Sequence, residues 1–150
     1  MRILKKILLL TAMLIVAFSF YDCSKDENGG LVFSDGAGNS LSITLFDPAS
    51  PASLDYEDYV VITTEYNITH SEGVRMWIIP YTDGEKSPGY LYSSSKIYSG
   101  SGSRQVGFSI EFDEDIGPVT VDQLEVVMKN PDQSQTLIEK FIEVSYSFGE

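Results

Sequence analysis

Val60-Val61-Ile62-Thr63-Thr64-Glu65-Tyr66-Asn67-Ile68-Thr69 is the stretch on which the reading of the fold turns. Val60, Ile62, Thr64, Tyr66 and Ile68 fall on one parity, and Val61, Thr63, Glu65, Asn67 and Thr69 on the other. Successive side chains of an extended chain point to opposite sides, so this period of two predicts a β-strand with one dry and one wet face. Most of the ten side chains are β-branched or aromatic, and these suit a pleated surface better than a helix. His70-Ser71-Glu72-Gly73 then supplies the turn.

The same period recurs in both directions. Leu41, Ile43 and Leu45 alternate with Ser42 and Thr44, and Val106, Phe108, Ile110 and Phe112 alternate with Gln105, Gly107, Ser109 and Glu111. Near the C-terminus Ile138, Ile142, Val144, Tyr146 and Phe148 form an apolar set that only Lys140 interrupts. Turn chemistry separates the runs at Asp47-Pro48, Asp83-Gly84, Ser99-Gly100-Ser101-Gly102 and Asn130-Pro131-Asp132. Residues 74–81 are apolar on both parities except for Arg75, the pattern of a strand inside a sandwich. Residues 89–92 and 96–98 are short and Tyr-rich, which suits an edge.

Residues 120–129 are ambiguous. Thr120-Val121-Asp122-Gln123 has the form of a capping box, and Val121, Leu124 and Met128 have helical spacing. Leu124, Val126 and Met128 also alternate, and Val119, Val121, Val126 and Val127 favour extended chain. A strand is expected, with a helix as the alternative. The count comes to about seven antiparallel strands, the spacing of an all-β sandwich, in one domain over residues 31–150.

This layout resembles an immunoglobulin-like or fibronectin-III-like β-sandwich. The resemblance implies that Trp77, on the third strand, is the core tryptophan such folds often carry. One Cys in the chain leaves no pair to bridge the sheets.

The N-terminus reads as an address. Arg2, Lys5 and Lys6 precede an uncharged, mostly apolar run from Ile7 to Phe20, too short to span a bilayer comfortably. Residues 1–22 are therefore read as a secretory signal peptide, with a retained anchor helix as the alternative. Cys23-Ser24-Lys25-Asp26-Glu27-Asn28 resembles the start of Bacteroidetes-type bacterial lipoproteins. That resemblance implies lipidation of Cys23, a flexible tether over residues 23–30, and an outer-membrane lipoprotein facing the cell surface, with a periplasm-facing one as the alternative. Two or more acyl chains hold a soluble domain where one would not. Removal of Arg2, Lys5, Lys6 and Asp22 would leave 7 basic against 21 acidic residues, a net charge of −14.

The full chain already carries −12, which argues against nucleic acid and anionic membrane surface as partners. One His leaves little material for a zinc site or a His-based triad, so no metal, no cofactor and no enzyme activity are expected. Asp113-Glu114-Asp115 lacks calcium-loop spacing and reads as a solvated loop, as do Asp55, Glu57 and Asp58. His70 in its turn has no nucleophile and orienting acid at recognisable spacing. Gly100-x-Gly102 precedes a strand and is no phosphate loop.

Tyr81, Tyr90, Tyr92 and Tyr98 lie close in sequence among Gly, Ser and Lys. Exposed aromatic faces of this kind can stack on the C–H face of a sugar ring, although edge-strand tyrosines with wet hydroxyls share the same pattern. The expected role is a non-enzymatic binding or adhesion module for a glycan or protein ligand. The alternative is a structural or accessory subunit of an envelope complex, joined through a strand edge.

Overall fold

Alternating β-branched and aromatic residues build eleven strands in the computed structural model, which describes residues 24–25, 30–92 and 95–149. Seven are the longer elements: β2 (Leu31–Ser34), β3 (Ser40–Asp47), β5 (Val60–Ile68), β6 (Arg75–Thr82), β9 (Gly100–Ile110), β10 (Val119–Lys129) and β11 (Thr136–Phe148). The others are two- or three-residue pieces: β1 (Ser24–Lys25), β4 (Ala52–Leu54), β7 (Glu85–Lys86) and β8 (Tyr90–Tyr92). There is no helix among the described residues.

The strands form two sheets, in the orders β1-β2-β3-β5-β9-β8 and β4-β11-β10-β6-β7. Taking β3, β5, β6, β8, β9, β10 and β11 as A to G gives ABED in one sheet and CFG in the other, the immunoglobulin order. The A strand is divided between the sheets. β3 pairs with β5 in the first, and β4 runs parallel to the end of β11 in the second. The crossing covers residues 47–51, where Asp47-Pro48 and Ser50-Pro51 are cis, and the Tyr146 hydroxyl donates to the Pro48 carbonyl at 2.9 Å.

The inward faces meet in one core. Phe108 of the first sheet packs against Tyr146 and Phe148 of the second, each at a ring separation of 6.1 Å, and all three are completely buried. Two β-bulges decide which residues reach that core. In β10 the register slips between Val121 and Gln123, so Val121 and Leu124 both point inward although three residues apart. The helical spacing of the sequence is thus the trace of a bulged strand.

In β3 the slip lies between Ile43 and Leu45. It hands the inward parity to Phe46, opposite Ile62, and Leu45 is 56% exposed instead of buried. Phe112 also departs from its expected parity. β9 ends at Ile110, and Phe112 lies exposed with its ring 5.3 Å from that of Tyr56.

Two further expectations are corrected. The turn expected at Ser99-Gly100-Ser101-Gly102 is largely strand, because β9 begins at Gly100. Gly102 lies opposite Tyr66, and a Cβ there would meet the Tyr66 hydroxyl oxygen at 2.7 Å, so the glycine makes room for that ring. Trp77 is not a core residue. Met76, Ile78 and Pro80 take the inward parity of β6, and Trp77 shares the outward parity with Ile79 and Tyr81.

Phe108→Ala should cost about 3–5 kcal/mol of unfolding free energy in a denaturant titration, the range for emptying a buried aromatic site. Leu45→Ala should stay within about 0.5 kcal/mol, because the side chain is exposed beyond the bulge.

Candidate functional site

The outward face of the second sheet carries the candidate site. In the antiparallel pairing of β6 with β10, Arg75 stands opposite Lys129, Trp77 opposite Val127, Ile79 opposite Glu125, and Tyr81 opposite Gln123. On the far side of β10, Glu125 faces Phe141 of β11 and Val127 faces Glu139. Side chains at these positions stand on one face, since a strand alternates and the ladder keeps the parity. Together they shape an open groove of about 710 Å³.

Trp77, Ile79, Tyr81 and Val127 give the groove its apolar lining, and Tyr92 completes that wall from the edge of the first sheet. Polar groups converge from several elements: Glu125 from β10, Lys86 from the β6–β7 hairpin, Lys129 from the end of β10, and Ser95 and Gln133 from loops.

Each element is held by local chemistry. Asp83 (φ 51°) and Gly84 (φ 83°) form the two-residue turn of the β6–β7 hairpin, the left-handed geometry that Asp-Gly favours. The Asp83 amide donates to Asp122 Oδ2 at 2.9 Å, and the Thr82 hydroxyl donates to the Thr120 carbonyl at 2.8 Å. The hairpin is thereby fastened to the β10 bulge, with Lys86 opposite Tyr81.

At the other end Arg75 is a strap. Its Nε donates to the Pro131 carbonyl at 3.0 Å and its Nη1 to the Ser95 carbonyl at 2.6 Å, tying together the loops that carry Gln133 and Ser95. Ser95 Oγ accepts the Met76 amide at 2.9 Å, so the loop also satisfies part of the β6 edge. In the 130–135 loop, Asp132 Oδ1 accepts the Ser134 amide and hydroxyl, which holds its carboxyl below the usual range.

Glu125 is the unusual group of the floor. It is only 8% exposed and lies between Ile79 and Phe141, where an ionised carboxylate needs donors. The Tyr81 hydroxyl donates to its Oε2 at 3.0 Å, while the Tyr81 ring meets Phe141 edge-on at 5.2 Å. Burial first, and then the bond to Glu125, push Tyr81 up to about 12 from its ordinary 10. Burial alone takes Tyr146 to about 12.

The four tyrosines singled out in the sequence do not form one platform. Tyr81 and Tyr92 line the groove, and Tyr90 stacks on Tyr92 at 5.6 Å from the partly buried side. Tyr98 belongs elsewhere. It bridges to Val74, its ring lies 5.4 Å from Tyr66, and the Arg104 guanidinium sits 4.6 Å from its centre. Arg104 also donates to the Met76 carbonyl, and burial lowers its pKa. That cluster braces the sheets against each other.

Glu125 and Lys129 were not singled out by sequence reading, and Trp77 was expected only as a core residue. The usable signal was the double parity of residues 74–81, since apolar residues on both sides mark a covered strand or an exposed apolar face. Lining residues of a groove are brought together by register, which local spacing does not display.

His70 lies in its turn, beneath which the Asn39 side chain accepts the Thr69 and His70 amides. No cluster of three or more metal-ligating side chains occurs among the described residues. No helix among them is long and apolar enough to cross a membrane. Cys23 and the signal segment lie outside the described residues. Comparison with known proteins gives no match to a family model, to a curated protein or to a solved structure.

The raised tyrosines provide a test. The folded protein keeps protons on Tyr81 and Tyr146 that the unfolded chain releases near 10. Their contribution to stability is complete below pH 10 and is lost as pH rises toward 12. In a spectroscopic alkaline titration, Glu125→Gln should move the Tyr81 ionisation down and leave that of Tyr146 in place.

Proposed function

We propose that the protein is a non-enzymatic binding module, held at the outer membrane by lipid on Cys23, that takes a glycan in the groove on the outward face of β6 and β10. The observation that carries this reading is the placement of Trp77. A tryptophan on the outward parity of β6, beside Ile79 and Tyr81, offers apolar surface to a partner instead of to the core.

The surrounding chemistry supports a sugar. A pyranose presents a C–H face to an aromatic ring and hydroxyls around its rim. Trp77 and Tyr92 supply the ring faces, while Glu125, Gln133, Ser95 and the two lysines supply acceptors and donors. Aromatic faces set beside convergent polar groups are the features by which small-ligand sites orient what they bind. The acidic body keeps a crowded lipoprotein layer soluble and draws the domain away from anionic lipid.

Because Trp77 is the only tryptophan, intrinsic fluorescence reports directly on the groove. Titration with the bound polysaccharide should change that emission. Trp77→Ala should weaken retention on immobilised polysaccharide by roughly thirtyfold, the ~2 kcal/mol of an aromatic hot spot. Leu45→Ala, on the other sheet, should retain full binding. Equal retention by Trp77→Ala and wild type would overturn the proposal.

The anchor is tested separately. Cys23→Ser should release the protein from the membrane fraction, and protease added to intact cells should digest the wild type while sparing a periplasmic control. A Cys23→Ser variant as firmly bound as wild type refutes the lipid anchor.

A further inference from the structure

Both signs of charge are present in the groove, and their arrangement says what the ligand carries. Lys86 stands opposite Tyr81 at one end, and Lys129 stands opposite Arg75 at the other. The carboxylate of Glu125 lies between them on the floor. From Arg75 to Tyr81 the strand rises by about 20 Å, at ~3.4 Å per residue. The cationic ends are therefore separated by more than one sugar ring, with Trp77 and the acid in between.

A polyanion lying along this floor would have to pass over Glu125, which is nine-tenths buried and cannot swing into solvent without breaking its bond to Tyr81. A cationic chain would meet Lys86 and Lys129 at the two ends. Like charges held close in a partly desolvated site cost more than they do in open water. Hydroxyl groups suit all three side chains at once, donating to the carboxylate and accepting from the ammonium groups.

Glu125 gives the sharper argument. A carboxylate has about four acceptor positions, and the bond from Tyr81 fills one of them. Its remaining acceptor capacity is placed in an apolar setting formed by Ile79, Phe141 and Val127. A ligand hydroxyl brought to this point is favoured by a charge-assisted bond to the carboxylate.

We infer that the groove binds an internal stretch of an uncharged polysaccharide, with a sugar ring stacked on Trp77 and one of its hydroxyls donating to the Glu125 carboxylate. This rests on the glycan reading above and narrows it to a class. Glu125 is then a specificity residue, selecting a ring that carries a hydroxyl where the carboxylate waits. A sugar lacking that hydroxyl forgoes the charge-assisted bond and binds more weakly.

The test uses the full lipid-free domain in affinity electrophoresis. Galactomannan, mixed-linkage glucan and dextran serve as neutral probes, polygalacturonate and heparin as anionic ones, and chitosan as a cationic one. Retention is expected on at least one neutral polymer, and it should change little between about 0.1 M and 1 M salt, where charge pairing is heavily screened. Glu125→Gln should lower that affinity about tenfold, the loss of one charge-assisted hydrogen bond. Thermal melting of the variant separates this from a folding defect, because the amide can still accept the Tyr81 hydroxyl. Lys129→Gln, on the groove end and away from the acid, should leave the salt response flat.

The outcomes are distinct. Retention only on polygalacturonate or heparin, weakened steeply by salt, overturns the neutral-ligand inference and leaves the binding module standing. Retention only on chitosan does the same in the opposite sense. A folded Glu125→Gln variant with unchanged affinity removes Glu125 as the selecting group. No retention on any polymer overturns the glycan reading itself.

Discussion

The antiparallel register of β6 against β10 sets the character of the second sheet. With Trp77 opposite Val127 and Ile79 opposite Glu125, both strands present substantial apolar surface outward as well as inward. The inward parity, Met76, Ile78, Leu124, Val126 and Met128, closes the core against the first sheet. Among the described residues the outward parity has no third layer to cover it. It is left with a row of aromatic and aliphatic side chains around one buried acid, and a one-residue slip would exchange the two sets. Core and groove are thus two consequences of a single register.

That register is held from several directions. The β10 bulge provides Asp122 as an acceptor for the hairpin turn at Asp83, and Arg75 gathers the loops at the opposite end. The groove is consequently framed by regular strands, a fastened turn and two loops that Arg75 ties together. Rigid support of this kind reduces the ordering cost that a ligand must overcome on binding. In the first sheet, the Tyr98–Arg104 contact does related work between layers: a buried guanidinium is offset by an aromatic face and the Met76 carbonyl.

The sequence displayed the strands well because their signal is local. Val60 to Ile68, and Ile138 to Phe148, could be placed from alternation alone. It displayed the bulges as anomalies. The three-residue step from Val121 to Leu124 looked helical, and Leu45 looked buried, since an inserted residue shifts parity without leaving a distinctive composition. The site was half legible. Tyr81 and Tyr92 stood out by type, whereas Trp77 was assigned to the core by the fold resemblance, and a doubly apolar strand does not itself reveal which side a residue faces. Glu125 was hidden for a different reason, as its burial depends on Ile79 and Phe141 from strands distant in sequence.

A binding role for this domain requires that ligand sit on the outward face of β6 and β10. Amide and side-chain chemical-shift mapping by NMR, with a soluble oligosaccharide cut from a retained polymer, tests this most directly. The account predicts shifts confined to residues 75–81, 123–129 and the Trp77 indole N–H, with lesser changes at Tyr92 and Gln133. Shifts gathered instead on the first sheet, around Leu45 or Phe112, with the Trp77 indole unmoved, would contradict it.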